Sequence, residues 1–275
     1  MGAVYDFVGN FPGWVMAPEY FKSLIAEHAC RRILEVGAGA NPTLSPNLVQ
    51  ESGLSYVVSD LSLDELKKTD TAFEKLVLDL SAKTIDPVLS ERFDCILSRM
   101  VGEHVSDGAQ YHSNIYEMLR PGGISAHCFS TLWAFPFVVN RLLPEKLGSV
   151  LQDIFSRRDE LHGKFKAYYS WSRGPSNAML RRFEEIGFDV IDYVGYFGHY
   201  YYLRVPWLHQ LEMLKSKFLV KHPVPQLCSY ATFVLRKPYR QIAKCNQTKL
   251  PGAEDRLYAQ AKPRKEIYPS ENIET

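Results

Sequence analysis

Short apolar runs alternate with amphipathic stretches along most of this chain, and the alternation itself predicts the fold. PEYFKSLIAEHAC, opened by Pro18, carries its apolar residues at helical spacing. RRILEVG reads as a strand that enters a glycine turn. SPNLVQESG reads as a short helix ending at Gly53, SYVVSD as the next strand, LSLDELKKT as a polar helix and KLVLDLS as a third strand. RFDCILSRM is a fourth strand, HSNIYEMLRPGG a helix stopped by Pro121 and two glycines, and ISAHCFSTLW a fifth strand. Alternation of this kind predicts a parallel sheet with helices on both faces, the doubly wound α/β class. Beyond it come an irregular insertion at about 134–175, a helix SNAMLRRFEEIGF and a strand DVIDYVGYFG. A second insertion at about 203–226 precedes a last strand, CSYATFVLRK. After Pro238 the chain turns polar and loses periodicity, which predicts a single domain over 1–238 and a mobile tail over 239–275.

Composition changes this picture little. The 275 residues suffice for one large domain, and 46% hydrophobic with 23% charged residues is ordinary for a globular chain. No apolar run approaches the roughly 20 residues of a membrane span. MGAVYDFVGNFPGW lacks the basic and apolar regions of a secretory signal, and Asp6 stands where myristoylation needs Ser or Thr. Cys30, Cys95, Cys128, Cys228 and Cys245 are scattered and form no CxxC pair, so reduced thiols in a cytoplasmic protein, without a zinc site, are expected. Charge says more. Residues 204–275 carry 13 Lys/Arg against 6 Asp/Glu, a net of +7, whereas residues 1–203 carry 19 against 25, a net of −6. A basic C-terminal quarter suits an anionic partner or surface; solvated surface lysines explain it equally well.

The chemistry starts at the glycine turn. In RRILEVGAGANP, Glu35 stands two residues before Gly37, and Gly39 and Pro42 follow. Glycines at such a turn let the backbone lie close against a ligand. A dinucleotide fingerprint needs a third glycine where this chain has Pro42, and the acid before the first glycine is unusual for it. Asp60 ends the next strand, where a carboxylate can accept from both hydroxyls of a ribose. Asp79 ends the third strand in VLDL, where a carboxylate can accept from an adenine amino group. The carboxyl ends of these strands form the crevice in which open α/β sheets bind ligands.

Together, ILEVGAGAN, VVSDLS, VLDLS, FDCILSRMVGEHV, and MLRPGG followed by ISAHCFS resemble, in order and spacing, the motifs of class I S-adenosylmethionine-dependent methyltransferases of the small-molecule branch. The resemblance covers roughly residues 30–133 well and the last two strands in outline. It implies a Rossmann-like seven-stranded sheet in the order 3-2-1-4-5-7-6 with the last strand antiparallel. It implies S-adenosyl-L-methionine as cofactor, held by Glu35, Gly37, Ala38, Gly39, Asp60, Leu61, Asp79, Leu80, Ser98 and Arg99. Glu35 would bridge to the loop or help position the amino-acid end of the cofactor. The acceptor is expected to be a small molecule, a sugar or a lipid-linked group, methylated at oxygen. Asn41-Pro42 and the two insertions depart from the family pattern and leave the acceptor open. The chain has no Asn/Asp-Pro-Pro-Tyr at the fourth strand and no acidic cluster after Ser98-Arg99, so neither a nucleobase acceptor nor a divalent metal is expected, and no nucleic-acid partner. GxSxG and Walker signatures are also missing.

Acceptor-side candidates are fewer. His104, after Glu103, lies where the fourth strand gives way to a helix and can deprotonate a hydroxyl; a cap or packing histidine is the alternative. KAYYSWSRGP, in the first insertion, offers aromatics to cover an acceptor and Arg173 to pair with an anionic group, or else is a packed surface loop. HYYYL, His199 to Leu203, reads as a strand or a substrate wall. Val205 to His222 reads as an amphipathic helix with Pro206 at its first position. It is expected to form part of the acceptor side, and its stripe of Trp207, Leu208, Leu211, Leu214 and Phe218 would touch a membrane surface or a lipid-linked substrate, or else pack on its own domain, with Lys215, Lys217 and Lys221 in its second half. An NAD-dependent oxidoreductase and a catalytically silent methyltransferase-like binding protein are the competing functions, the first disfavoured by Glu35 and Pro42.

Overall fold

The computed structural model describes residues 5–13, 16–131, 166–200, 202–203 and 205–239. Met1–Pro238 form one compact unit and Tyr239–Thr275 another. All but Tyr239 of the tail, Cys245 with it, and most of the first insertion lie outside the described residues.

The strands are β1 (Tyr5–Asn10), β2 (Arg32–Val36), β3 (Ser55–Asp60), β4 (Glu74–Val77), β5 (Phe93–Arg99), β6 (Leu119–Ser130), β7 (Asp189–Gly198) and β8 (Tyr230–Arg236). The helices are α1 (Ala17–Glu27), α2 (Pro46–Glu51), α3 (Leu63–Lys68), α4 (Gly108–Met118), α5 (Asn177–Ile186) and α6 (Pro206–Lys221). One sheet holds all eight strands in the order β1-β7-β8-β6-β5-β2-β3-β4. Every pairing is parallel except those of β8, which runs antiparallel between β6 and β7. Without β1, this is the order the family resemblance implies. The long apolar runs become β2, β3 and β5 because central parallel strands are covered on both faces. Helices α2, α3, α4 and α5 start where the side chains of Ser45, Ser62, Asp107 and Ser176 accept a backbone N–H of the first turn.

Four expectations are corrected. The sheet has eight strands, because Tyr5–Asn10 adds a parallel edge strand to β7. Its alternation is short, with Asp6 and Val8 exposed, and much of its hold comes from Phe7 stacked on Phe197 at 5.4 Å. Helix α4 begins at Gly108 rather than at His112, and Leu119 already pairs with Phe93, so Pro121 and its two glycines lie within β6 and not at a helix end. The pairing jumps from Phe93–Leu119 to Cys95–Ile124, and the extra residues on β6 form an irregularity opposite Asp94. His199, Tyr200, Tyr202 and Leu203 are not in a strand, since β7 ends at Gly198, and Tyr201 lies outside the described residues. Finally, the α6 stripe does not pack on its own domain: Trp207, Leu211, Leu214 and Phe218 face solvent, and the helix buries Glu212, Ser216 and Leu219 instead.

The main core lies between the sheet and its helices, and its densest part is aromatic. Phe233 of β8 meets Phe183 at 4.8 Å, His127 at 5.1 Å, Phe129 at 5.3 Å and Tyr193 at 5.4 Å. At the opposite end of the sheet from the ligand crevice, buried Asp94 ties three strands together. Its Oδ2 accepts the backbone N–H of Arg31 at 2.8 Å and of Arg32 at 2.9 Å, and its Oδ1 pairs with Arg120 at 2.7 Å. Asp94→Ala strands two backbone donors and is expected to lower unfolding free energy by about 2–3 kcal/mol, read from the urea midpoint at unchanged m-value.

Candidate functional site

The glycine turn leaves β2 at the centre of the sheet and is fixed from below by one carboxylate. Glu35 is 2% exposed. Its Oε2 accepts the Thr43 backbone N–H at 2.9 Å and the Tyr56 hydroxyl at 2.7 Å, and its Oε1 accepts the Thr43 hydroxyl. Burial pushes the Glu35 carboxyl above its ordinary value; the bonds from Thr43 and Tyr56, and more weakly the charge of Arg99, pull against that shift. Glu35 therefore braces the loop from inside. Other bonds pin the loop elsewhere: Ala38 N–H donates to the Ser59 carbonyl at 2.9 Å, the Thr69 hydroxyl donates to the Gly39 carbonyl, and Arg99 donates to the Asn41 carbonyl at 3.0 Å.

The glycines themselves are required by shape. Gly37 has φ +66°, and a Cβ there would lie 2.4 Å from a methyl of Val101. Gly39 has φ +51°, and a Cβ there would press on Asp60 Oδ2 at 3.3 Å. Gly37, Gly39, Asp60 and Val101 thus meet in one place, above the ends of β2, β3 and β5. Asp60 Oδ1 is occupied by the Ser62 N–H at 2.9 Å, while Oδ2 faces the glycine loop. Leu61, beside it, is 70% exposed.

The remaining candidates divide. Asp79 lies just past β4 on a loop and is exposed, with Oδ1 accepting the Ser81 N–H at 2.8 Å. Leu80 is buried, and Asn114 holds its carbonyl at 2.8 Å. Ser98 is buried too, its hydroxyl 2.7 Å from His127 Nδ1, so its side chain belongs to the floor of the site. Arg99 is half-buried at the rim.

After Arg99 the chain turns sharply. Met100 takes a left-handed conformation, φ +59°, rare for a residue with a side chain, and its N–H donates to the Cys128 carbonyl at 2.8 Å. A short 3-10 turn, Gly102–His104, follows. His104 N–H donates to the Val101 carbonyl at 2.9 Å, which sets the histidine one turn from the residue that covers Gly37. The imidazole is part-exposed, and Nδ1 lies 3.2 Å from the Lys166 carbonyl. A carbonyl only accepts, so Nδ1 carries the hydrogen and Nε2 of the neutral ring keeps its lone pair. Beside it Glu103 is buried, with Oε1 accepting from Ser130 at 2.9 Å and Oε2 without a hydrogen-bond partner among the described residues. Burial pushes its carboxyl up. The Glu103 carbonyl also holds the returning insertion, accepting from the Tyr168 and Tyr169 N–H groups at 2.8 and 3.0 Å.

In that returning segment, Tyr169 is buried and Tyr168 is 45% exposed. Trp171 stacks on His112 at 5.6 Å and lies under the Arg182 guanidinium, so it is part of the wall and not a loose lid. Arg173 gives its carbonyl to the Tyr193 hydroxyl at 2.7 Å. The sequence reading missed Thr43, Tyr56, Val101 and Glu103. A signal existed for Tyr56: β2 and β3 pair with Glu35 beside Val58, and alternation puts Tyr56 on the same face as Glu35. Thr43 and Val101 carried none, because loop closure alone brings them in.

Residues 17–193 match a family model described as a methyltransferase domain. A ubiquinone biosynthesis O-methyltransferase from Brucella anthropi is 31% identical over 97 residues, which is 34% of this chain and 38% of that protein. The chain therefore spans well under half the length of that curated relative. Among solved structures, a Haemonchus contortus phosphoethanolamine N-methyltransferase 2 in complex with S-adenosyl-L-methionine is 16% identical, with 76% of this chain and 49% of that one covered at a TM-score of 0.46. An S-adenosylmethionine-dependent methyltransferase from Mesorhizobium loti is 15% identical, with 82% of this chain and 100% of that one covered at a TM-score of 0.45.

The floor of the site makes a pH prediction. Burial pushes the His127 imidazole down to about 3, below its ordinary value of 6.5. Below pH 6.5 the unfolded chain takes up a proton that the folded chain refuses, so stability falls as pH falls from 6.5 towards 3, by at most about 1.4 kcal/mol per pH unit from this residue. Urea titrations between pH 6.5 and 5 are expected to show a shallower loss in His127→Asn than in the unaltered chain. Equal slopes would mean that His127 already titrates normally in the folded state.

Proposed function

The chain belongs to the methyltransferase-domain family, with S-adenosylmethionine as its cofactor, and on that premise we propose that it methylates an oxygen of a small-molecule, sugar or lipid-linked acceptor, with His104 receiving the proton. The observation that carries the proposal is the hydrogen bond from His104 Nδ1 to the Lys166 carbonyl, which keeps a lone pair on Nε2 one turn from the glycine cradle.

The cradle fits the cofactor. Gly37 and Gly39 turn the backbone at positive φ without Cβ atoms, Asp60 presents Oδ2 beside Gly39, and exposed Leu61 offers an apolar surface next to it. In this reading the loop Gly37–Ala38–Gly39 lies against the cofactor, Asp60 accepts from its ribose hydroxyls, and Asp79 stands near its adenine end. Leu80, Ser98 and Arg99 contribute through the backbone and by holding the floor and rim. Glu35 contributes by fixing the loop through Thr43. When bound, S-adenosylmethionine supplies an electrophilic methyl group on a sulfonium centre. The chain's own residues then have little bond-making to do. They hold the acceptor in line, keep water out, and let Nε2 of His104 take the hydroxyl proton as the oxygen acquires its methyl group. Orientation alone is worth about 7–11 kcal/mol in favourable cases, so the base is an increment upon it. The Brucella relative carries O-methyltransferase in its name, which is consistent with an oxygen acceptor.

Two variants test this reading. Asp60→Ala removes charge-assisted hydrogen bonds worth about 1.5–3 kcal/mol each, so calorimetry should show S-adenosylhomocysteine binding weakened about tenfold or more. Unchanged affinity would remove Asp60 from the ribose site. His104→Gln should cut kcat about 100-fold with acceptor KM and cofactor affinity little changed. Full activity in that variant would leave His104 a packing residue. Labelled-methyl transfer to a metabolite extract, followed by mass spectrometry, identifies the acceptor; cofactor binding with no transfer to any acceptor would instead favour a catalytically silent binding protein.

A further inference from the structure

Helix α6 is built inside out. The face that meets β1 and β7 is polar: Glu212 and Ser216 are buried there with Leu219. Ser216 donates to the Gly9 carbonyl at 2.8 Å, and Glu212 lies 2.6 Å from Lys215 and 3.3 Å from His199. The outward face is apolar. Trp207, Leu211, Leu214 and Phe218 are 64%, 54%, 63% and 62% exposed. They are spaced four, three and four residues apart, which at about 100° per residue keeps them on one narrow stripe. By the same geometry Lys215 lies on one flank of the stripe and Lys217 and Lys221 on the other. Past the helix, Val224 and Leu227 are exposed as well.

We infer that this face of α6 docks in the plane of an anionic lipid bilayer, an interaction beyond the methyl-transfer reading and independent of the acceptor. A self-paired apolar stripe is the obvious competitor, and charge decides against it. The helix has three lysines and one acid, and that acid is buried against Lys215, so two copies would bring lysines together with no exposed carboxylate between them. A surface of lipid phosphates and anionic headgroups complements the same arrangement: apolar side chains enter the acyl boundary while lysine stems reach back to the headgroups. The helix is 16 residues, roughly 24 Å at 1.5 Å per residue, and no helix among the described residues is long and apolar enough to cross a membrane. It therefore lies on the bilayer and does not span it. The net +7 of residues 204–275 adds attraction of the same sign.

The test uses the full chain with phosphatidylcholine vesicles, with and without phosphatidylglycerol, at low and physiological salt. Expected are co-sedimentation with the anionic vesicles that weakens as salt rises, and a blue shift of tryptophan emission that disappears in Trp207→Phe. Leu211→Asp with Phe218→Asp should cut vesicle affinity at least tenfold while the melting temperature is unchanged, because both side chains are exposed. Lys217→Glu with Lys221→Glu should weaken binding and remove most of its salt dependence. The inference is overturned if no binding occurs at low ionic strength, if neutral vesicles bind equally well, or if neither double variant alters binding. A concentration-dependent dimer that Leu211→Asp with Phe218→Asp abolishes, without vesicle binding, would give the face to a second copy and overturn it as well.

Discussion

A carboxylate in the middle of a parallel sheet is costly unless its oxygens are occupied, and Glu35 meets that requirement with the loop that follows it. The bonds from the Thr43 N–H and hydroxyl pull the chain back over the end of β2, and the bond from Tyr56 ties the same carboxylate to β3. The turn between Val36 and Thr43 has little freedom left. Its tightness forces positive φ at Gly37 and Gly39, brings Val101 down on Gly37 and sets Asp60 against Gly39. The ligand crevice is thus a consequence of satisfying one buried charge. Burial still holds that carboxyl above its ordinary value, which marks how much desolvation the bonds have to offset.

The wall across the crevice follows the same logic with neutral groups. His112 and His127 sit in the aromatic core, and burial pushes both imidazoles down, so they are uncharged packing rings at neutral pH. Ser98 is drawn to His127 and out of the crevice. The chain then has one residue, Met100, in which to reverse direction before the turn that carries Glu103 and His104. Its left-handed backbone is held by the Cys128 carbonyl of the neighbouring strand. This is the kind of local strain that a surrounding sheet can hold in place at a site.

Methyl transfer needs orientation more than catalytic groups, and the architecture reflects that economy. The strands that form the crevice keep the order found in the family, while additions gather at the other edge of the sheet, where β1 joins β7 and α6 packs across both. An edge strand left open is a hazard for unwanted pairing. Here β1 shields β7, and α6 is anchored to β1 through the Gly9 carbonyl. A helix attached by polar contacts leaves its apolar side free for another surface.

The sequence by itself determined the class of the fold, the order of its β–α units and the identity of the glycine loop, because apolar period, cap residues and turn glycines are local properties that tertiary structure rarely reverses. Pro121 was read as a helix stop and proved to lie within a strand, since pairing with β5, a contact between residues far apart in sequence, outweighs local turn chemistry. Tyr5–Asn10 escaped notice because a short edge strand is specified by its neighbour more than by its own pattern. Only the tertiary structure decided that Glu35 serves Thr43 and Tyr56, that Ser98 faces the core, and that the Lys166 carbonyl fixes the His104 tautomer. It also decided which side of α6 faces in. Helical periodicity locates an apolar stripe but carries no sign for its direction, and here the polar groups of Glu212 and Ser216 found partners inside the fold while Trp207, Leu211, Leu214 and Phe218 were left exposed.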